Sequence, residues 1–150
     1  LANFYPESRE VITENTAFLM ANLLQGVVDE GTGRRLRFRY GFKNQIGGKT
    51  GTTQNHSDGW FIGITPDLAG GVWVGAEDRS IHFQNLANGQ GASMALPIWA
   101  LFMQKVYADK SLAVPQSDFQ KPNGVNHVLD CGDADREGMT DYDSSDEIFD

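Results

Sequence analysis

Only one cysteine, Cys131, occurs among the 150 residues, which excludes a disulfide within the chain and leaves a cysteine-based zinc site without its ligands. Long apolar runs are also missing. None approaches the roughly 20 residues that a membrane-spanning helix needs, and Leu1-Ala2-Asn3 lacks the charged-then-apolar layout of a secretion signal. Excess positive charge is absent as well. Of 20 acidic and 12 basic residues, 10 acidic and 2 basic lie in 118–150, so the remaining body carries 10 of each sign and the net charge of −8 belongs to the tail. A balanced body has no electrostatic footprint for nucleic acid, and no nucleic-acid partner is expected.

What is present is a stretch stripped of side-chain bulk: Gln45-Ile46-Gly47-Gly48-Lys49-Thr50-Gly51-Thr52-Thr53-Gln54. Glycine in a strand marks close approach by a ligand or another backbone. At strand spacing Lys49 and Gly51 share one face and Thr50 and Thr52 the other. One cation among several hydroxyls suits an anionic ligand such as a carboxylate, and threonine keeps the segment extended while offering donors. Gly48-Lys49-Thr50 also ends a phosphate-binding loop pattern, but the first glycine of that pattern should stand where Lys43 is. Gln54-Asn55-His56-Ser57-Asp58-Gly59 moreover reads as a turn into an apolar run, whereas a phosphate loop opens a helix.

Taken in order, Phe4-Tyr5-Pro6 leads to a helix over 13–30, capped by Thr13 and stopped by Gly31, with Ile12, Ala17, Leu19, Met20, Leu23, Leu24, Val27 and Val28 at the spacing of one apolar face. Arg34, Arg35, Arg37 and Arg39 alternate with Leu36, Phe38 and Tyr40. They fit a solvated face balanced by Asp29 and Glu30, with attraction of an anionic glycan or peptide as the alternative. Two strands over 58–65 and 68–76, joined at Pro66-Asp67, are expected to pair beside the lysine strand. Apolar neighbours on both faces predict helices on both sides, with Trp60 and Trp73 in the core and His56 in a turn. A polar loop over 80–91 precedes a second helix over 92–109, whose stripe is Met94, Ile98, Leu101, Phe102 and Val106, with Pro97 tolerable near its first turns or as a kink.

From residue 112 the composition turns acidic, and 112–150 is expected to be a flexible tail after a domain over 1–111. Asp133, Asp135, Glu137 and Gly138 follow the start of a calcium loop, but Ser144 stands where such a loop has its bidentate Glu. No metal or other cofactor is expected.

Gly48-Lys49-Thr50-Gly51-Thr52-Thr53, then Asp58-Gly59-Trp60-Phe61-Ile62-Gly63, then Val72-Trp73-Val74-Gly75 resembles the C-terminal half of the transpeptidase domain of class A penicillin-binding proteins. Thr16-Ala17-Phe18-Leu19-Met20, Gly31-Thr32-Gly33 and Gly91-Ala92-Ser93-Met94-Ala95-Leu96-Pro97-Ile98-Trp99 extend the likeness over about 13–107. The resemblance implies an α+β fold, an antiparallel sheet flanked by helices, forming part of the β-lactamase/DD-peptidase-like architecture of penicillin-recognising serine enzymes. It also implies peptidoglycan cross-linking by acyl transfer, with stem peptides and β-lactams as ligands. By match to the motif, Lys49 supplies positive potential and helps the proton relay; Thr50 and Thr52 bind a carboxylate. Thr53 lines the same site, the Thr52 N–H is one of two oxyanion donors, and Gly51 lets the substrate backbone approach.

The departure from that pattern is large. No serine has a lysine three residues on, and no Ser-x-Asn occurs. The nucleophile and middle motif would precede the lysine strand in sequence, together with a glycosyltransferase domain and an anchor to the extracytoplasmic face of the inner membrane. The chain is therefore expected to be a fragment, inactive alone and prone to self-association where the rest of the domain would pack. The alternative is a non-catalytic structural or interaction module derived from such a domain.

Overall fold

The computed structural model describes residues 9–125. Phe4-Tyr5-Pro6, Cys131 and the calcium-like run at 133–144 lie outside the described residues. Helix α1 is Glu14–Asp29, as the caps predict: the Thr13 hydroxyl accepts from the Thr16 N–H at 3.3 Å, and Glu14 in the first turn complements the helix dipole. Its end is closed by the N–H groups of Glu30 and Gly31, both on the Gly26 carbonyl, and by Gly33 N–H on Val27 O at 2.9 Å. A Cβ on Gly31 would stand 2.9 Å from the Val27 backbone, so this tight stop needs glycine. The apolar face is only partly buried. Val28 and Ala21 are enclosed, while Met20 and Leu23 stay exposed, a correction to the single buried stripe expected.

The arginine run forms the short helix α2, Arg35–Phe38. Two of its arginines build structure beyond a solvated face. Arg37 pairs with Asp29 at 2.7 Å and reaches the carbonyls of Phe42 and Asn44, while Arg35 donates to the Ala92 carbonyl and Ser93 hydroxyl at 2.9 and 3.0 Å. Arg34 and Arg39 lie over the rings of Phe38 and Tyr40.

Three strands follow: β1 Gly47–Thr52, β2 Gly59–Ile64 and β3 Ala69–Val74, in the antiparallel order β1-β2-β3. The β2–β3 turn holds Pro66 and Asp67, as expected, and the Thr65 hydroxyl accepts the Leu68 N–H at 3.0 Å across it. The expected polar loop contains a further short helix, α3 Leu86–Gly89, capped by the Asn85 side chain on Asn88 N–H at 3.0 Å. Helix α4, Gly91–Ala108, carries Pro97 in its second turn.

Helix α4 lies on the sheet face that holds Gly59, Phe61 and Gly63, and the glycines are the reason it can. A Cβ on Gly63 would stand 2.5 Å from the Trp99 ring, and one on Gly59 would collide with Met94. Trp99 meets Phe61 edge-on, with ring centroids 5.3 Å apart, and the core adds Val28, Leu36, Phe42, Ile46, Leu96, Ala100 and Met103. Burying such side chains stabilises by about 1.5–3 kcal/mol each. The buried stripe of α4 is thus Ala92, Ala95, Leu96, Trp99, Ala100, Met103 and Val106 with Met94. Ile98, Leu101 and Phe102, expected in that stripe, point outward.

Among the described residues the opposite face is covered only at one end, where Leu24 of α1 sits over the Gly47–Ile64 pair. Trp60 and Trp73, expected in the core, are 44% and 47% exposed there, with Ile62 beside them. Their rings lie 6.4 Å apart and Trp73 Nε1 donates to Asp58 Oδ1 at 3.2 Å. The first part of the expected tail runs back along the domain as far as Val125, which is buried. Ser117 donates to Asp67 at 2.7 Å, and Phe119 N–H to the Gln45 side chain at 2.8 Å.

Candidate functional site

The ladder register decides what β1 presents. Thr53 N–H donates to the Asp58 carbonyl at 3.0 Å, in line with the Gly51–Trp60, Lys49–Ile62 and Gly47–Ile64 partners. Bonded and non-bonded pairs alternate in an antiparallel ladder. The N–H and C=O groups of Gly47, Lys49 and Gly51 therefore face β2, whereas those of Gly48, Thr50 and Thr52 face the free edge. The Lys49 ammonium donates to the Thr50 carbonyl at 2.8 Å, bringing the cation to that edge.

The side chains sort as the alternation predicts. Thr50 and Thr52 share the α4 face with Phe61; Thr50 Oγ1 lies 2.7 Å from Thr32 Oγ1, and Thr52 Oγ1 accepts the Gly91 N–H at 3.0 Å. Lys49 and Thr52 are exposed, Thr50 and Gly51 half-buried. A Cβ on Gly51 would lie 3.1 Å from the Trp60 Cβ, so a larger residue there crowds its cross-strand partner too.

Thr53, just past β1, has its hydroxyl inside the following turn. It bonds to Ser57 Oγ and Asp58 Oδ2, both at 3.0 Å, and accepts the Asp58 N–H at 3.0 Å. The Asp58 carboxyl is held below the usual carboxylate range chiefly by the Thr53 hydroxyl, against some desolvation, with help from Ser57, Trp73 and the exposed Arg79 guanidinium 3.8 Å away. Asn55 and His56 both take left-handed backbone, φ 59° and 57°, and Gly89 packs against His56 where no side chain would fit. His56 is thus a turn residue, as expected.

Sequence reasoning missed Thr32, Asp58 and Gly91 as parts of this arrangement. Glycines on both sides of Thr32, and an aspartate directly before a strand, were the available signals. The assembled edge holds a cation bonded to the Thr50 carbonyl, two hydroxyls close by, and backbone groups that no other strand of the described residues pairs with. Chemically it can take an extended chain that ends in an anion, with backbone bonds for the chain and donors for the charge.

The penicillin-binding protein transpeptidase domain matches residues 5–93 of this sequence. The chain belongs to that family. Penicillin-binding protein 1A of Pseudomonas aeruginosa is 36% identical over 125 residues, covering 81% of this chain and 14% of that protein. Penicillin-binding protein 1A of Aquifex aeolicus is 34% identical over 117 residues, covering 78% and 15%, and penicillin-binding protein 2D of Bacillus subtilis is 33% identical over 129 residues, covering 81% and 17%. The crystal structure of penicillin-binding protein 1A from Haemophilus influenzae superposes with a TM-score of 0.62 at 30% identity, over 75% of this chain and 17% of that one. The fold is accordingly the α+β architecture of penicillin-recognising enzymes, of the class A kind. The chain spans about a seventh of the length of the first two relatives, 14% and 15%. Among the described residues no helix is long and apolar enough to cross a membrane.

Proposed function

We propose that the chain supplies the substrate-cradling wall of a serine DD-transpeptidase that cross-links peptidoglycan, and that β1 is that wall. In the reaction, a serine oxygen from the remainder of the parent protein attacks the penultimate D-alanine carbonyl of a stem peptide. Terminal D-alanine leaves, and an amine of a neighbouring strand then takes the acyl group from the serine. Lys49 provides positive potential beside the nucleophile and helps move its proton. Thr50 and Thr52 donate to the terminal carboxylate, and the Thr52 N–H stabilises the tetrahedral oxyanion. Gly51 admits the peptide backbone. Thr53 belongs to the same wall and fixes its far end through the Asp58 turn.

The observation that carries this reading is the edge of β1, where the Lys49 ammonium bonds to the Thr50 carbonyl and the backbone groups of Thr50 and Thr52 point away from β2. β-Lactams are expected to acylate the same serine, and the parent to work at the extracytoplasmic face of the inner membrane. Intact-mass spectrometry after incubation with excess penicillin tests the division of labour. The 150-residue chain is expected to stay unmodified and the parent protein to gain one ring-opened adduct. An adduct on Ser57, Ser80 or Ser93 would overturn the assignment of the nucleophile to the rest of the domain.

A further inference from the structure

Each of the two hydroxyls of β1 is held from behind by a group outside the strand. The Gly91 N–H occupies a lone pair of Thr52 Oγ1 at 3.0 Å, leaving the Thr52 proton free to point elsewhere. Thr50 Oγ1 has Thr32 Oγ1 at 2.7 Å, a short hydroxyl pair in which one oxygen donates and the other accepts. A threonine hydroxyl has one proton, so the direction of this bond fixes what Thr50 offers its ligand. If Thr50 donated to Thr32, it would turn lone pairs toward an anion. With Thr32 donating, the Thr50 proton is free and its oxygen is polarised by the bond behind it.

We infer that Thr32 is a positioning residue: it donates to Thr50 and so sets the Thr50 hydroxyl as a donor to the anionic end of the ligand. This rests on the reading of β1 as a carboxylate-binding wall. The fold places Thr32 for the task, since Gly31 and Gly33 close α1 so tightly that neither tolerates a Cβ without crowding Val27. Thr32 is thereby left at the tip of the turn, beside the strand. The pair crosses 18 positions of sequence and joins the turn after α1 to β1, a link that capping of α1 does not need.

The test uses ligand-observed saturation-transfer NMR on the full chain with two probes, acetyl-D-alanyl-D-alanine and its C-terminal amide. Thr32→Val is expected to weaken the carboxylate peptide by about three- to ten-fold, the worth of one net hydrogen bond, and the amide by much less. Thr32→Ser, which restores the hydroxyl, is expected to restore the carboxylate preference, with thermal melts of both variants reporting folding. If Lys49→Met abolishes the preference while Thr32→Val keeps it, the inference is wrong and the wall stands. Equal loss of both peptides in Thr32→Val reduces Thr32 to a structural role and also overturns the inference. If the unsubstituted chain shows no carboxylate preference, or Lys49→Met leaves it intact, the reading of β1 fails and the inference falls with it.

Discussion

Asp58 does its work through hydrogen bonds that only its charged form fully accepts. Thr53 Oγ1, Ser57 Oγ and Trp73 Nε1 converge on its carboxylate, which lowers its pKa in the folded state. A lowered folded pKa adds stability above the unfolded value, and that stability is lost as pH falls through the folded one. Asp58→Asn is therefore expected to lower Tm at neutral pH. The difference from the unsubstituted chain should shrink once pH drops below about 3.9, the ordinary aspartate value. Thermal melts across pH check this, with a pH-independent difference contradicting it. Asp78 and Asp109, lowered by their bonds to Ser80 and Ser111, leave part of the acid transition in place in the variant. At this scale the alternation of Lys49 with Thr50 and Thr52 along a strand was legible because strand periodicity is local. The sequence hid the pairing of Thr32 with Thr50 and of Gly91 with Thr52, which arises only when α1 and α4 close on the sheet.

The contact of α4 with β2 depends on backbone meeting backbone. A Cβ on Gly91 would run into the Gly51 and Trp60 carbonyls, so Gly91→Ala is expected to push the start of α4 off the sheet, costing about 1–3 kcal/mol in urea unfolding. The same shift would loosen the Gly91 bond to Thr52. Tryptophans separate the two faces: Trp99→Ala is expected to cost about 3–5 kcal/mol. Trp60→Ala and Trp73→Ala should each cost under about 1.5 kcal/mol, being half-exposed. Equal costs would contradict the assignment of the core to the α4 side. Helix limits and the β2–β3 hairpin were legible because Thr13, Gly31 and Pro66-Asp67 are local signals. The covered face was not, since Trp60, Phe61 and Ile62 are apolar in succession and alternation alone cannot say which side a helix takes. Among the α4 positions, outward Ile98 and Phe102 have the same chemistry as inward Leu96 and Met103.

Across the whole molecule, apolar surface remains where the described residues supply no cover. Trp60, Ile62 and Trp73 lie bare on one face, Ile98, Leu101 and Phe102 on the outside of α4. The edge of β1 adds unpaired backbone groups that favour association. Charge repulsion from the acidic region opposes this, but about 0.15 M salt screens it beyond roughly 8 Å. The chain is expected to be dimeric or aggregation-prone by sedimentation velocity; a concentration-independent monomer with a cooperative melt would favour an independent module. The central claim, that β1 is the wall of a penicillin-reactive site, is tested most directly by the rate at which the parent protein is acylated by a fluorescent penicillin when Lys49 is replaced. Lys49→Met is expected to slow acylation by orders of magnitude and Lys49→Arg to retain part of the rate, because positive potential survives while the compact ammonium geometry does not. Acylation of Lys49→Met at the unsubstituted rate would contradict it.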